Sequence, residues 1–257
     1  MSDPNQSFIK RMTPRGAVPP AARKLSRLAH LSDDDLKLLG SLKKCTIAPG
    51  NFIGTEKTAD QAWILVSGWC ARIPAPDVPT LQITSLMLPG DGFGFACTPW
   101  AGDTLPVRAI TECAIVDATS VRHAIRMRAP AHIRLNEACQ RSEWLEQSYL
   151  LNHITRLGRR NLYARVAHFL IEVHARLSDV GLVKNGSFDL PLTQRVLAEM
   201  LGLSGVHLNR ITRAMKRDHL VDFPRGCVHV PDAEKLAIIA EFVPMQAPFG
   251  AKLLVTT

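Results

Sequence analysis

The 257-residue sequence lacks a long apolar run: its densest hydrophobic stretch, Ala62 to Trp69, is far short of the roughly 18 to 20 residues that span a bilayer, so a membrane helix is not expected. Met1 to Gly16 holds no apolar central segment of the kind an export signal needs. None of the six cysteines forms a CxxC pair, which excludes a zinc ribbon and a dithiol motif and fits reduced thiols in a cytoplasmic protein. Missing too are the GxSxG nucleophile elbow, the GxxxxGK phosphate loop, the HExxH zinc helix and any paired run of metal ligands. Neither an enzyme nor a metal site is therefore expected. Gly90 to Gly94 resemble a nucleotide loop only superficially, because no βαβ unit follows them.

What is present is ordinary globular composition, 46% hydrophobic and 21% charged, with a formal charge of +8. The excess is localised. Between Leu150 and Val230 twelve Lys and Arg face six Asp and Glu, so this segment supplies most of the positive charge and points to a polyanionic partner. Residues 1–20, with four prolines, read as an unstructured arm. Ser32 before three aspartates and Leu36, Leu39 and Leu42 reads as a capped short helix. From Lys43 to Asp117, seven or so short β-type runs separated by turns such as Pro49-Gly50, Ser67-Gly68 and Pro89-Gly90-Asp91-Gly92 predict a compact antiparallel roll or sandwich.

Helical signals return after Thr119. Pro130 can open a helix of about 25 residues, in which Leu135, Ala138, Ser142, Leu145, Tyr149 and Asn152 form one seam and Ile133, Trp144, Leu151 and Ile154 another face. Two apolar faces suit a dimer, and the first seam is the expected dimerisation surface; the competing reading is a core helix of one globule. Leu157-Gly158 is expected to break this helix. Leu162, Val166, Leu170, Val173 and Leu177 mark the next, and Asn185-Gly186 signals a loop or short hairpin.

Leu190 to Leu220 reads as helix, tight turn, helix. Thr193 can cap the first helix, Leu197, Ala198 and Leu201 face inward, Gly202 ends it, and Ser204 can cap the second. With Leu208, Ile211 and Met215 on the inner side of the second helix, Gly205, Val206, Asn209, Arg210 and Arg213 fall outward, a small and partly basic face suited to a major groove. Strand-like runs on either side of Pro224-Arg225-Gly226 predict a β-wing whose Arg225 reaches phosphate. Cys227 lies beside that arginine, where a thiolate would be favoured and oxidation would disturb a DNA contact; a passive cysteine is the alternative.

In this arrangement the chain resembles the Crp/Fnr family of bacterial transcription regulators over about residues 30 to 240. The likeness is carried by "LVSGW" at 65–69, "LPGDGFGF" at 88–95, "LGRRNLYARVAHFLIEVHARL" at 157–177 and "LTQRVLAEMLGLSGVHLNR" at 192–210. It implies an α+β chain: an arm at 1–20, a jelly-roll-like (cupin-like) antiparallel β-roll sensor domain at 21–128, a dimerisation helix at 129–156, a winged helix-turn-helix at 157–243 and a tail at 244–257. Arg210 matches the family's recognition-helix arginine, a bidentate reader of guanine. Val206 stands where the best-known members carry a glutamate, so their consensus site is not carried over; His207 and Asn209 are left to read a base edge or bind backbone. Thr193, Gln194 and Arg195 correspond to the phosphate-contacting start of the first helix.

Cyclic-nucleotide-binding relatives use a glutamate and an arginine after the PGD turn. Here the segment from Gly94 puts Phe95 in the first position and Asp103 or its neighbours in the second, so neither cyclic AMP nor cyclic GMP is expected to bind. No cofactor is expected, although the sequence leaves open a small-molecule effector and haem ligation by His30, His123 or His132. Absence of cysteine before Cys45 removes the family's N-terminal iron–sulfur cluster. The implied partners are double-stranded DNA and a second copy of the chain, with RNA polymerase as a further candidate and no membrane. A regulator responding through Cys227 and a nucleoid-associated protein binding DNA without sequence preference are the alternatives.

Overall fold

A computed structural model describes residues 19–53, 61–73, 83–95, 106–224 and 226–245. Among these residues helices α1 (Pro19–Leu28) and α2 (Asp33–Gly40) precede eight short strands: β1 (Lys44–Ile47), β2 (Phe52–Ile53), β3 (Trp63–Ser67), β4 (Cys70–Arg72), β5 (Ser85–Met87), β6 (Gly92–Phe93), β7 (Val107–Ala109) and β8 (Cys113–Asp117). All pairings are antiparallel and give two four-stranded sheets, in the orders β1-β8-β3-β6 and β2-β7-β4-β5. Successive residues of a strand point to opposite faces, and here both faces are buried. Leu65, Cys70, Met87 and Ile115 meet between the sheets, while their neighbours Ile64 and Val116 pack outward under α1 and α2, and Ala71 and Leu86 pack outward against the C-terminal half. That arrangement explains why the strands read as unbroken apolar runs rather than as alternating ones.

Ser32 and Asp35 close the expected capping box at the start of α2. Helix α3 (Thr119–Arg126) and a 3-10 turn (Pro130–His132) lead into α4 (Ile133–Arg159). The expected break at Leu157-Gly158 does not occur there. The chain continues helical through Gly158, where an added Cβ would stand in open space, and turns at Arg160 where Asn161 caps α5 (Leu162–Asp179) by accepting from the Ala164 amide.

Helix α1 was not anticipated. Its Ala21, Ala22, Leu25 and Leu28 pack onto Leu135, Ala138, Cys139 and Leu145 of α4. The seam assigned to dimerisation is thereby corrected: Leu135, Ala138, Ser142 and Leu145 are buried within their own chain, and Tyr149 and Asn152 are half-buried. The opposite face carries Ile133, Leu150, Leu151, Ile154 and Leu157 in the open, Leu151 and Ile154 at 63% and 58% exposure. Trp144, expected on that face, packs partly against the inner core instead. A short strand β9 (Ser187–Asp189), helices α6 (Gln194–Met200) and α7 (Gly205–Arg217), strand β10 (Cys227–His229) and helix α8 (Ala233–Ala240) complete the described chain. No described helix is long and apolar enough to cross a membrane.

Candidate nucleic-acid interface

Helices α6 and α7 form the hairpin expected from the sequence. Thr193 accepts from the Val196 amide at 3.2 Å and Ser204 from the His207 amide at 3.2 Å, so each helix starts with one of its orphan N–H groups satisfied. Between them Gly202 adopts φ +64°, the left-handed conformation that ends a helix at least cost in glycine, and the Leu203 amide closes the turn on Ala198. Leu208, Ile211 and Met215 anchor α7 in a core that also holds Val166, Leu170 and Val173 of α5 and Leu197 and Leu201.

Burying that stripe fixes what α7 shows outward. Val206 is 77% exposed, and Ser204, Gly205, His207, Arg210 and Arg213 are exposed, with Asn209 half-buried beside them. Val206, Asn209, Arg210, Arg213, Lys216 and Arg217 line one continuous surface. Lys216 pairs with Asp222 at 2.8 Å, but Arg210 and Arg213 have no ion pair or hydrogen bond among the described residues. Thr193, Gln194 and Arg195 are exposed at the start of α6, where Arg195 is held by Glu199 at 2.9 Å. The face is thus a convex helix with free guanidinium groups and backbone amides at its N-terminus, a surface that can pair with phosphates and base edges.

The wing differs in its pairing from the sequence expectation. Only the run after Gly226 becomes a strand, and β10 pairs with β9, which precedes the helix-turn-helix, while Asp222 touches His229 through a single bridge. Arg225 lies outside the described residues, as does Asp103. Among the described residues the partner of Cys227 is acidic. Its thiol donates to Asp189 Oδ1 at 3.1 Å, and this bond, with the carboxylate's charge, pushes the thiol up and away from thiolate.

In the N-terminal half, Gly94 has φ +80°, and a Cβ there would stand 2.3 Å from the Gln61 carbonyl, so the loop requires glycine. Phe95 is buried with Leu25 and Ile64, and the space beside its ring is only about 20 Å³, room for a water. His132 Nδ1 lies 2.7 Å from Asp35 Oδ1, whereas His123 is exposed. No group of three or more potential metal ligands converges among the described residues.

One constellation was missed by reasoning from the sequence. Asp91, in the PGD turn and 4% exposed, receives Lys24 of α1 at 2.7 Å, Arg176 of α5 at 2.6 Å and the Leu88 amide at 2.7 Å. Burial opposes ionisation, but the two cations prevail and hold this carboxyl at about 2. Arg176 also donates to the Leu86 carbonyl, stacks 4.4 Å above the Tyr149 ring, and approaches Glu172 at 3.9 Å. Glu172 in turn binds the buried Arg156 of α4 at 2.6 Å, and Arg156 Nε donates to His168 Nδ1 at 3.3 Å. A buried chain of charges therefore runs from the roll through α5, the helix on which α7 is seated. Glu172, lying inside the wholly buried stretch Val166–Val173, was the available signal, since a charge on a helix buried all round must be paired.

Residues 164–239 match the Crp-like helix-turn-helix domain family. Among characterised proteins, the chain is 26% identical over 187 residues to the transcriptional activatory protein AadR of Rhodopseudomonas palustris, covering 72% of this chain and 75% of that one. It is 23% identical over 173 residues to the nitrogen fixation regulation protein FixK of Azorhizobium caulinodans, covering 66% and 67%. The structure resembles FixK2 of Bradyrhizobium japonicum with a TM-score of 0.63 at 20% identity, over 80% of this chain and 99% of that one. It resembles the CRP-family regulator TTHB099 of Thermus thermophilus with a TM-score of 0.53 at 19% identity, over 77% and 96%.

Proposed function

We propose that this chain, which carries a Crp-like helix-turn-helix domain, is a transcriptional regulator of the Crp/Fnr family that acts as a homodimer on a pseudo-palindromic duplex, each protomer laying α7 in a major groove. The observation that carries this reading is the outward face of α7, where Arg210 and Arg213 are exposed and unpaired among the described residues. Arg210 reads a guanine through O6 and N7, and the Val206 methyls meet a thymine methyl. Asn209 and His207 lie beside them for a second base or the backbone. Thr193, Gln194, Arg195, Ser204 and Gly205 approach phosphate, joined by Arg213 and by Arg225 from the wing.

The second copy docks on the exposed stripe of α4. Leu151, Ile154 and Leu157 follow three-residue steps and Leu150 lies four before Ile154, the spacing of a helix-pair seam, and among the described residues these side chains are left exposed. Two such protomers set half-sites one helical turn apart, about 34 to 36 Å. The effector is not a cyclic nucleotide: a buried phenyl ring at position 95 offers no carboxylate to a ribose.

Selection of random duplexes on the purified protein tests the reading. A pseudo-palindrome is expected, and Arg210→Ala should cost about 1 to 3 kcal/mol on it while relaxing one base position. Equal loss on selected and scrambled duplexes at fixed salt would contradict base reading and favour a protein that coats DNA without preference.

A further inference from the structure

Between α1, the turn after Leu88, α4 and the end of α5 lies a cavity of about 380 Å³, within the size range of small-molecule sites, roughly 300 to 1,000 Å³. Its walls are charged unequally. Lys24, Arg27, Arg141 and Arg176 line it against Asp91 and Asp179, with Glu137 pairing Arg141 from just outside the lining. The two inner cations are committed to Asp91, whose oxygens are both engaged and whose charge is therefore neutralised locally. The outer two are differently placed. Arg27 holds Asp179 at 2.9 Å near the surface, with 63% and 44% of these side chains exposed, so this pair exchanges partners easily. Arg141 also lines the cavity, its two terminal nitrogens held by Glu137 at 2.5 Å and by the Leu28 carbonyl.

We propose that this cavity binds a small organic polyanion, bearing two or more carboxylate or phosphate groups, between Arg27 and Arg141, with Lys24 and Arg176 supplying the field behind them. The Arg27 guanidinium suits such a ligand because, on exchanging Asp179, it offers paired donors matching two acidic oxygens, while Arg141 adds a second positive charge at the wall. The walls come from both halves of the molecule: α1 and α4 belong with the roll, and Arg176 and Asp179 stand on the helix that seats α7. An occupant fixes these elements together and so biases the pose of the recognition helix, which makes it an effector. That last step rests on the regulator reading; the binding site itself does not.

Calorimetry and thermal unfolding of the full chain with citrate and with pyrophosphate, each against sodium chloride of equal ionic strength, test the site. Saturable binding of at least one probe is expected, citrate alone marking a carboxylate ligand and pyrophosphate alone a phosphate. Arg27→Gln should weaken it several-fold and Arg27→Gln with Arg141→Gln at least ten-fold, whereas Arg210→Ala with Arg213→Ala, which removes cations from the DNA face, should leave it intact. The single surface variant keeps the test informative should the double variant unfold. No binding by either probe, binding unaffected by Arg27→Gln, or binding lost in the Arg210 and Arg213 variant overturns the assignment. Duplex selection with the same preparations separates the two claims: a retained pseudo-palindrome with no anion bound sinks only the cavity assignment, and absent sequence preference sinks the regulator reading.

Discussion

Replacing Arg176 by methionine probes the joint between the two halves with little change in side-chain length. The guanidinium is buried and leaves behind two buried carboxylates, Asp91 at 2.6 Å and Glu172 at 3.9 Å, together with the Leu86 carbonyl. Removing one partner from a buried ion pair costs about 3 to 5 kcal/mol because the remaining charge is stranded in a poor solvent. Here each carboxylate keeps a second cation, Lys24 for Asp91 and Arg156 for Glu172, which places the expected loss at the low end, about 3 kcal/mol. For a chain of this size that corresponds to a fall in Tm of about 6 to 12 °C. The pH dependence identifies the cause. Asp91 is held at about 2, below its ordinary 3.8, so its contribution is present above pH 3.8 and is lost as pH falls through 3.8 towards 2. Without Arg176 the carboxyl titrates higher, and protonation relieves the stranded charge, so the gap between wild type and variant narrows as pH is lowered from 7 towards 4. Urea unfolding at several pH values reads both effects. A loss below about 1 kcal/mol, or a gap independent of pH, would refute a charge network joining roll and α5.

Three further outcomes are expected. His168 is held down at about 3 by burial and by Arg156, and His153 at about 4 for the same two reasons; the unfolded chain accepts protons that the folded one refuses, so stability falls as pH drops below 6.5, by up to about 1.4 kcal/mol per pH unit for each group. His168→Gln should remove one share of that slope between pH 6.5 and 5, and an unchanged slope counts against the assignment. Leu151→Glu with Ile154→Glu places charges on the exposed stripe of α4 and should give monomers in sedimentation, with affinity for a full palindrome falling at least a hundred-fold and half-site binding preserved; a persistent dimer would place the interface elsewhere. Asp189→Asn removes the carboxylate that keeps Cys227 protonated and should speed its alkylation by iodoacetamide several-fold at pH 8, so an unchanged rate would show that Asp189 does not control the thiol.

The helix-turn-helix was legible because its determinants are local. Thr193, Gly202 and Ser204 act on backbone groups within a few residues of themselves, and the stripe of Leu208, Ile211 and Met215 fixes the orientation of α7 whatever it packs against. Strand positions in the roll were legible for a similar reason, as short apolar runs between turn residues. The two faces of α4 were equally visible, but their destinations were not: periodicity says that a face is apolar and cannot say whether the cover is α1 or a second chain. Arg225 drew attention beside Cys227 because it is adjacent in sequence, whereas Asp189, 38 positions away, sets the chemistry of that thiol.

By itself, then, the order of residues determined the two helices of the helix-turn-helix, their caps and which side chains of α7 face outward, since these follow from interactions spanning a handful of positions. Only the tertiary structure decided that α1 covers one side of the long helix, and that Lys24, Asp91, Arg156, Glu172 and Arg176 converge. Electrostatic partners are chosen by distance through space, and the low-dielectric interior in which those charges meet exists only once distant segments have packed around it.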